Sequence, residues 1–403
     1  MRARSCALLA LPALAGTFAL AGRGGGLEDG GHREVIAIED VSIIPMDRNE
    51  VVPHQTVIVD GDRITAIGPE RSVPIPRGAR RIDGRNRFLM PALTDMHVHL
   101  RAGDVEAYLA SGVGTVRNMW GHQAIGRLRR EIESGARRGP RIHSASHGLD
   151  GTPPQWPATV IVTAAESAAV AVQREAAAEE GWEFIKVYSR LSPAVFDAIM
   201  REVRERGLVA VGHVPLAVDV RHALASGLRS VEHLTGYDRA VSVAGRGGTW
   251  AWIDADTARF AELIAATRRA GAWNCPTMTI YATLARQHSV TEQAAISRHR
   301  RLFVRQLRDA QAPILAGTDA GIQVVPPGTS MHDELRELVA AGLTPFEALR
   351  AATVEPARFF GDTAAGVVRV GAHADLLLLD GNPLDDIANS SRIRMMFLRG
   401  EEM

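Results

Sequence analysis

The hydrophobic pattern of this chain changes texture once. From Val35 to Leu89 apolar residues gather in short runs, Val35–Ile44, Thr56–Ile67 and Arg80–Leu89, separated by Pro, Gly and Asp. Such runs predict strands joined by turns, a small antiparallel unit. From Pro91 the pattern becomes strand, then helix, repeated. The candidate strands are Thr94–His99, Gly114–Asn118, Arg141–Ala145, Phe184–Tyr188, Val209–His213, Ser230–His233, Ala272–Pro276 and Ile314–Asp319. Helical stretches lie between most of them, among them Ala164–Glu180, Pro193–Arg206 and Ala258–Ala270. Eight strands alternating with helices is the count of a (β/α)8 barrel. A last helical region, Pro345–Phe360, leads to strand-like runs at 374–380 and 394–399, so the two chain ends can share one sheet beside the barrel.

The first residues have a different character. Arg2 and Arg4 precede an apolar stretch from Cys6 to Ala21 that ends in Ala19-Leu20-Ala21, the layout of a secretory signal with its cleavage site. The stretch is short for a membrane span and is interrupted by Pro12 and Gly16. The expectation is a signal peptide at 1–21, a Gly-rich flexible joint at 22–34, and an exported protein, periplasmic or secreted, with no stable membrane span once the signal is removed. Cleavage would leave Cys275 as the only cysteine, so no intramolecular disulfide is expected and the core must supply stability.

Charge narrows the partners. Formal net charge is zero, with Arg and acidic residues interspersed, so no basic face for nucleic acid is expected. A small neutral or mixed-charge substrate fits better. Oligomeric state is left open, a homo-oligomer included.

Among 46 Lys and Arg residues there is a single lysine, Lys186. Arginine stays protonated under ordinary conditions, whereas a desolvated lysine can lose its proton and react. Lys186 sits in Phe184-Ile185-Lys186-Val187-Tyr188, an apolar strand that would lower its pKa. His97 and His99 lie two apart on one strand, and the period of two sends both side chains to the same side. His213, His233 and Asp319 each close a separate putative strand. All therefore fall at the C-terminal face of the barrel, where catalytic residues gather. Imidazole and carboxylate suit zinc or a similar divalent ion. A neutral lysine that captures carbon dioxide becomes a carbamate with two oxygens, enough to bridge two cations. Each residue alone has an ordinary reading, as a buried histidine or a helix cap; the joint placement in strand order is what points to a metal site.

These motifs, Pro91-Ala92-Leu93-Thr94-Asp95-Met96-His97-Val98-His99, Phe184–Tyr188, Gly212-His213-Val214-Pro215, Val231-Glu232-His233-Leu234 and Ala316-Gly317-Thr318-Asp319-Ala320, resemble the amidohydrolase superfamily, most closely its imidazolonepropionase-like or prolidase-like subgroup. The resemblance runs from about Val35 to Arg399; Ala92 stands where the family usually has Gly. It implies an α/β fold, a distorted (β/α)8 TIM barrel (91–365) with a small β-sandwich domain built from both chain ends (35–90 and 366–403). The strand-four lysine resembles the two-metal, prolidase-like branch rather than the one-metal branches. By that resemblance His97, His99 and Asp319 would hold one divalent ion, expected to be zinc, His213 and His233 a second, and carbamylated Lys186 both. The two ions would activate a bridging hydroxide, and Asp319 would act as the catalytic base and proton shuttle.

The reaction so implied is hydrolysis of an amide C–N bond in a small-molecule amide or short peptide. Related enzymes use a His and a Tyr to hold substrate, which nominates His147 and Tyr237; Arg190, just past strand four, could pair with a substrate carboxylate. Loops 150–157 and 321–330 are expected to wall the pocket. A prolidase-like dipeptidase, an N-acyl amino acid hydrolase, and a lactonase or phosphotriesterase remain alternatives, and a non-catalytic metal-binding protein is the reading from a different class. Cys275 is expected to be a buried small apolar residue.

Overall fold

The computed structural model describes residues 34–322 and 325–403. The expected signal peptide and nearly all of the expected joint lie outside the described residues. Strands β1 (Ile36–Ile43), β2 (Val52–Asp60), β3 (Arg63–Pro69), β4 (Arg80–Asp83) and β5 (Phe88–Pro91) come first among the described residues. They form one eight-stranded sheet with β14 (Leu376–Leu379), β15 (Ile393–Leu398) and β16 (Glu401–Glu402), in the order β16-β15-β14-β5-β1-β2-β3 with β4 beside β1. The two chain ends therefore do share a sheet. It is mixed rather than antiparallel, because β1 pairs in parallel with both β4 and β5. The register of β1 shifts between Ile38 and Val41, where Asp40 takes a positive φ of 53°, and this sends Val41 and Ile43 into the same core as Ile36 and Ile38.

The fully apolar run Leu376-Leu377-Leu378-Leu379 is buried on both faces. Leu376 and Leu378 pack into the core of the outer sheet, while Leu377 and Leu379 join the core of the barrel. A strand with no polar alternation is what two-sided burial requires.

The barrel strands are β6 (Leu93–Val98), β7 (Val113–Asn118), β8 (Arg141–Asp150), β10 (Phe184–Val187), β11 (Ala210–Gly212), β12 (Ser230–Glu232) and β13 (Trp273–Cys275), all parallel, with β9 (Thr159–Ile161) on the edge of β8. The helices between them follow local signals. The helix Pro193–Glu205 starts with Ser192 accepting a hydrogen bond from the Val195 N–H and with proline in its first turn. The helices Val290–Asp309 and Pro345–Ala351 each begin with a capping box, Ser289 with Glu292 and Thr344 with Glu347.

Three expected elements differ. The eighth strand, Ile314–Asp319, is present only as isolated bridges, Asn274 to Ile314 and Val98 to Ala320, which leave the barrel nearly closed. Its backbone is diverted: the Thr318 N–H donates to the Asp95 side chain at 3.0 Å, and Asp319 adopts a φ of 63°. Gly317 passes so close to β6 that a Cβ there would lie 2.8 Å from the His97 nitrogen. The helix expected over Pro345–Phe360 breaks into Pro345–Ala351 and Val354–Phe360, because Pro356 can neither donate to nor clear the carbonyl one turn earlier. Strand three continues past Ala145 to Asp150, which places His147 inside β8 instead of after it.

Candidate active site

At the C-terminal end of the barrel, β6 delivers His97 with His99 just beyond it, β10 delivers Lys186, and His213 and His233 follow directly on β11 and β12. Gly212 precedes His213 with a φ of 137°, and a side chain there would meet the Val187 carbonyl at 2.2 Å; only glycine lets the two strands close up here. His233 and Asp319 both have positive φ, at 61° and 63°. Non-glycine residues in that region are strained, and here the strain turns two side chains toward the barrel axis.

The histidines converge. The His97 ring lies 4.4 Å from that of His233 and 5.5 Å from that of His99, and the His213 ring is 4.9 Å from His233. Asp319 Oδ1 lies 3.1 Å from His99 Nε2 and 3.4 Å from His97 Nε2. His97, His99 and Asp319 each place a donor atom within 4.8 Å of the others. The structure thus brings together five of the expected ligands around the ring cluster, and Lys186 points its amine into the same barrel interior, with Nζ 5.8 Å from the centre of the Tyr188 ring that packs on His213.

A hydrogen-bond layer beneath the cluster sets the imidazole tautomers. His97 Nδ1 donates to Glu232 Oε2 at 2.7 Å. Glu232 also accepts from Arg117 Nη2 at 2.9 and 3.0 Å, and Arg117 donates further to Ser230 and to the Met96 carbonyl. All of this is buried. With Nδ1 used, His97 keeps a bare Nε2 lone pair toward Asp319. The Thr277 O–H donates a hydrogen bond to the Pro276 carbonyl at 2.8 Å, so its oxygen accepts from His233 Nδ1 at 2.7 Å and leaves Nε2 of that ring free as well. His213 Nδ1 is 3.0 Å from Ser189 Oγ. Behind His233, the buried Arg300 donates to the His233 and Pro276 carbonyls at 3.3 and 2.6 Å and lies 3.6 Å over the Tyr281 ring.

Burial lowers the pKa of His97, His213 and His233, aided in each case by the nearby Lys186, so all three are neutral imidazoles. Burial also lowers the Lys186 amine to about 8. For Asp319, burial pushes upward, but His233, His99 and Lys186 together outweigh it and hold the carboxyl below its ordinary value. Asp95, which accepts from Thr318 and the His97 N–H, is raised to about 7 by burial. Cys275 and Glu232 also approach His97. Burial keeps the Cys275 thiol protonated, and Glu232 is committed to Arg117 and His97, so this second grouping is a structural network and Cys275 a buried small side chain.

The three residues nominated for substrate contact are each engaged with other protein groups. His147 faces the helix Ala168–Ala176, where Nδ1 is 2.9 Å from Glu175. Tyr237 is fully buried in the helical layer, its hydroxyl 2.6 Å from Thr267 and its ring against Phe303. Arg190 is tied to the loop after β8 through Asp150 and the Pro153 carbonyl. That loop does wall the site, since the Trp156 indole N–H donates to the Tyr188 hydroxyl. Sequence reading missed Arg117, Glu232, Thr277 and Arg300. For Glu232 a signal existed: Ser230 and Glu232 are polar at alternate positions of a strand otherwise buried on both faces.

Residues 88–403 match the amidohydrolase family. The chain belongs to that family. The ochratoxinase of Aspergillus niger is 23% identical over 413 residues, covering 86% of this chain and 81% of the relative. Among solved structures, a Bifidobacterium longum protein assigned as a prolidase superposes with a TM-score of 0.76 at 25% identity, covering 92% of this chain and 94% of the other. A bottromycin amidohydrolase superposes with a TM-score of 0.74 at 24% identity, covering 92% and 87%. As an amidohydrolase the protein is a hydrolase acting on carbon–nitrogen bonds, and the family is generally metal-dependent. The residues fit a metal: His97 Nε2, Asp319 Oδ1 and Lys186 Nζ are buried with no hydrogen-bond partner among the described residues, the pattern expected of ligand atoms facing an ion. Among the described residues, no helix is long and apolar enough to cross a membrane.

Proposed function

We propose that the protein is an exported amidohydrolase that cleaves an amide C–N bond of a small molecule or short peptide, using two divalent cations, zinc being the expected metal. His97, His99 and Asp319 would hold one cation, His213 and His233 the other, and Lys186, carbamylated by carbon dioxide, both.

The observation that carries this reading is the Lys186 amine, buried and without a partner among the described residues. A buried ammonium that makes no hydrogen bond is costly even with the Asp319 and Glu232 carboxylates near it, and burial prevails in lowering its pKa. Its pKa of about 8 keeps a share of the amine neutral at neutral pH. The ammonium gives up one proton to solvent, and the freed nitrogen lone pair can attack carbon dioxide, forming an N–C bond as one C=O π bond opens onto oxygen. The nitrogen then loses a second proton, so that two protons released in all convert the cation into an anion facing neutral imidazoles. Such an anion would be compensated by cations held on the same imidazoles.

When bound, the cations would supply Lewis acidity for the scissile carbonyl and acidify water. Asp319 would take a proton from the attacking water and return it to the leaving nitrogen. His97 and His233 are held as Nδ1–H tautomers by Glu232 and Thr277, so neither imidazole needs to reorganise during the reaction.

Two measurements test the reading together: metal content of the purified protein, and hydrolysis of a panel of dipeptides, N-acyl amino acids, aryl amides, lactones and phosphotriesters before and after chelation. Two divalent ions per chain with chelator-sensitive amide cleavage are expected; a metal-free protein active on amides would refute it. Export is tested by the intact mass of protein from a secreting bacterial host, with Gly22 expected as the first residue and an unprocessed Met1 in a soluble product contradicting it.

A further inference from the structure

The cavity that opens on His99 has a volume of about 220 Å³, and its side walls are indoles. Trp120, Trp156, Pro157 and Leu100 supply apolar surface, and Arg101 and His122 the polar edge; among the described residues no carboxylate lines it.

Both indoles are held by their polar edges. Trp120 Nε1 donates to the Pro157 carbonyl at 3.2 Å, and Trp156 Nε1 donates to the Tyr188 hydroxyl. Trp120 also packs edge-on against Tyr188, with ring centres 5.0 Å apart. Its six-membered ring lies flat against Gly148, where a Cβ would come within 2.2 Å, so β8 is built without a side chain at the point where the indole rests. With both N–H groups used, the walls offer a ligand only apolar surface and π density. Tyr188 stands two residues after Lys186 and packs on the His213 ring at 4.2 Å, which joins this slot directly to the histidine cluster.

Walls of this kind select by shape and polarisability. Stacked or edge-to-face contact with an aromatic ring adds to simple burial. A cavity of ~150 Å³ already takes up benzene, so the volume here suits one substituted ring. A cationic side chain would meet Arg101 and His122 instead of a carboxylate.

We propose that the slot between Trp120 and Trp156 receives an aromatic ring borne next to the scissile amide, making the protein selective for aryl-bearing amides over small aliphatic and cationic ones. This rests on the reading of the neighbouring cluster as an amide-hydrolysing centre.

The test uses two matched series, N-acetyl amino acids and glycyl dipeptides, each ending in Phe, Trp, Leu, Ala or Arg. The holoenzyme is expected to favour Phe and Trp over Ala by ~10–100-fold in kcat/KM, the range that burial of one large apolar side chain supports. Trp156→Ala should cut that ratio at least tenfold, and Trp156→Phe should restore most of it. Calorimetric titration of metal-stripped enzyme with N-acetylphenylalaninamide and N-acetylalaninamide reads the slot without turnover. Selective binding of the first, lost in Trp156→Ala, supports the slot even if no amide in the panel is hydrolysed, in which case the reaction reading alone fails. Amide hydrolysis with equal kcat/KM for Ala, Arg and Phe, or no calorimetric preference for the aromatic ligand, overturns the slot and leaves the reaction standing.

Discussion

His97 and Glu232 lie 135 residues apart and meet at 2.7 Å in the middle of the barrel, both fully buried. The carboxylate accepts the hydrogen bond of the Nδ1–H group and so fixes which nitrogen of His97 faces the site. Because Glu232 also balances the buried Arg117, replacing it disturbs two functions at once. Glu232→Gln should lower divalent-metal affinity ~10–100-fold and destabilise the fold by ~3–5 kcal/mol, as expected for a buried charge left without its partner. Metal titration and chemical denaturation read the two effects separately. Unchanged metal affinity in a destabilised variant would mean that the pair serves the fold alone.

Lys186 separates charge from size. Lys186→Ala should lose bound metal and most activity, with partial rescue by short carboxylic acids that occupy the vacated position. Lys186→Arg places a fixed positive charge among neutral imidazoles and should be as damaging as Ala. Full activity of Lys186→Arg would rule out the carbamate.

The same residue gives a pH signature in the metal-stripped protein in carbon-dioxide-free buffer. Burial depresses its folded-state pKa to about 8 from 10.5. Between these values the unfolded chain binds more protons at Lys186 than the folded one, so stability rises with pH. The destabilisation is complete below about 8 and is relieved as pH climbs toward 10.5. Denaturation at pH 7.5 and 10 should show wild type gaining relative to Lys186→Met, and a constant difference would contradict the depressed pKa.

Asp319 is the proposed proton shuttle. Asp319→Asn retains the shape but removes the charge and the proton-accepting capacity. The substitution should lower kcat by at least ~10²-fold, within the ~10²–10⁴ range of a general base, in a folded protein that still holds metal. A kcat within a few-fold of the parent, on a substrate whose chemical step is rate-limiting, would refute that role.

Arg300 ties His233 and Pro276 together through their carbonyls. Arg300→Met keeps much of the packing on Tyr281 but strands the buried His233 carbonyl, worth ~1–3 kcal/mol, while the Pro276 carbonyl keeps the Thr277 hydroxyl as a donor. A loss of ~1–3 kcal/mol by denaturation is expected, with weaker metal binding as His233 is released. Wild-type stability would show that water takes over the His233 carbonyl.

The linear chain already determined the strand-and-helix rhythm and the placement of His97, His99, Lys186, His213, His233 and Asp319 at strand ends, because a buried strand exposes its chemistry only where it leaves the barrel and because period two sends His97 and His99 the same way. Tertiary structure alone decided what stands behind and around them. The extension of β8 to Asp150 turned His147 toward Glu175, and the fold placed Tyr237 against Thr267, since how far a strand runs and which layer a loop residue joins depend on neighbours distant in sequence. The eighth segment lost its regular pairing to Asp95, and Glu232 found Arg117 and His97, by contacts spanning more than a hundred positions. Local pattern carries the direction a side chain takes from its own strand; the partner it meets there is set by the packing of the whole barrel.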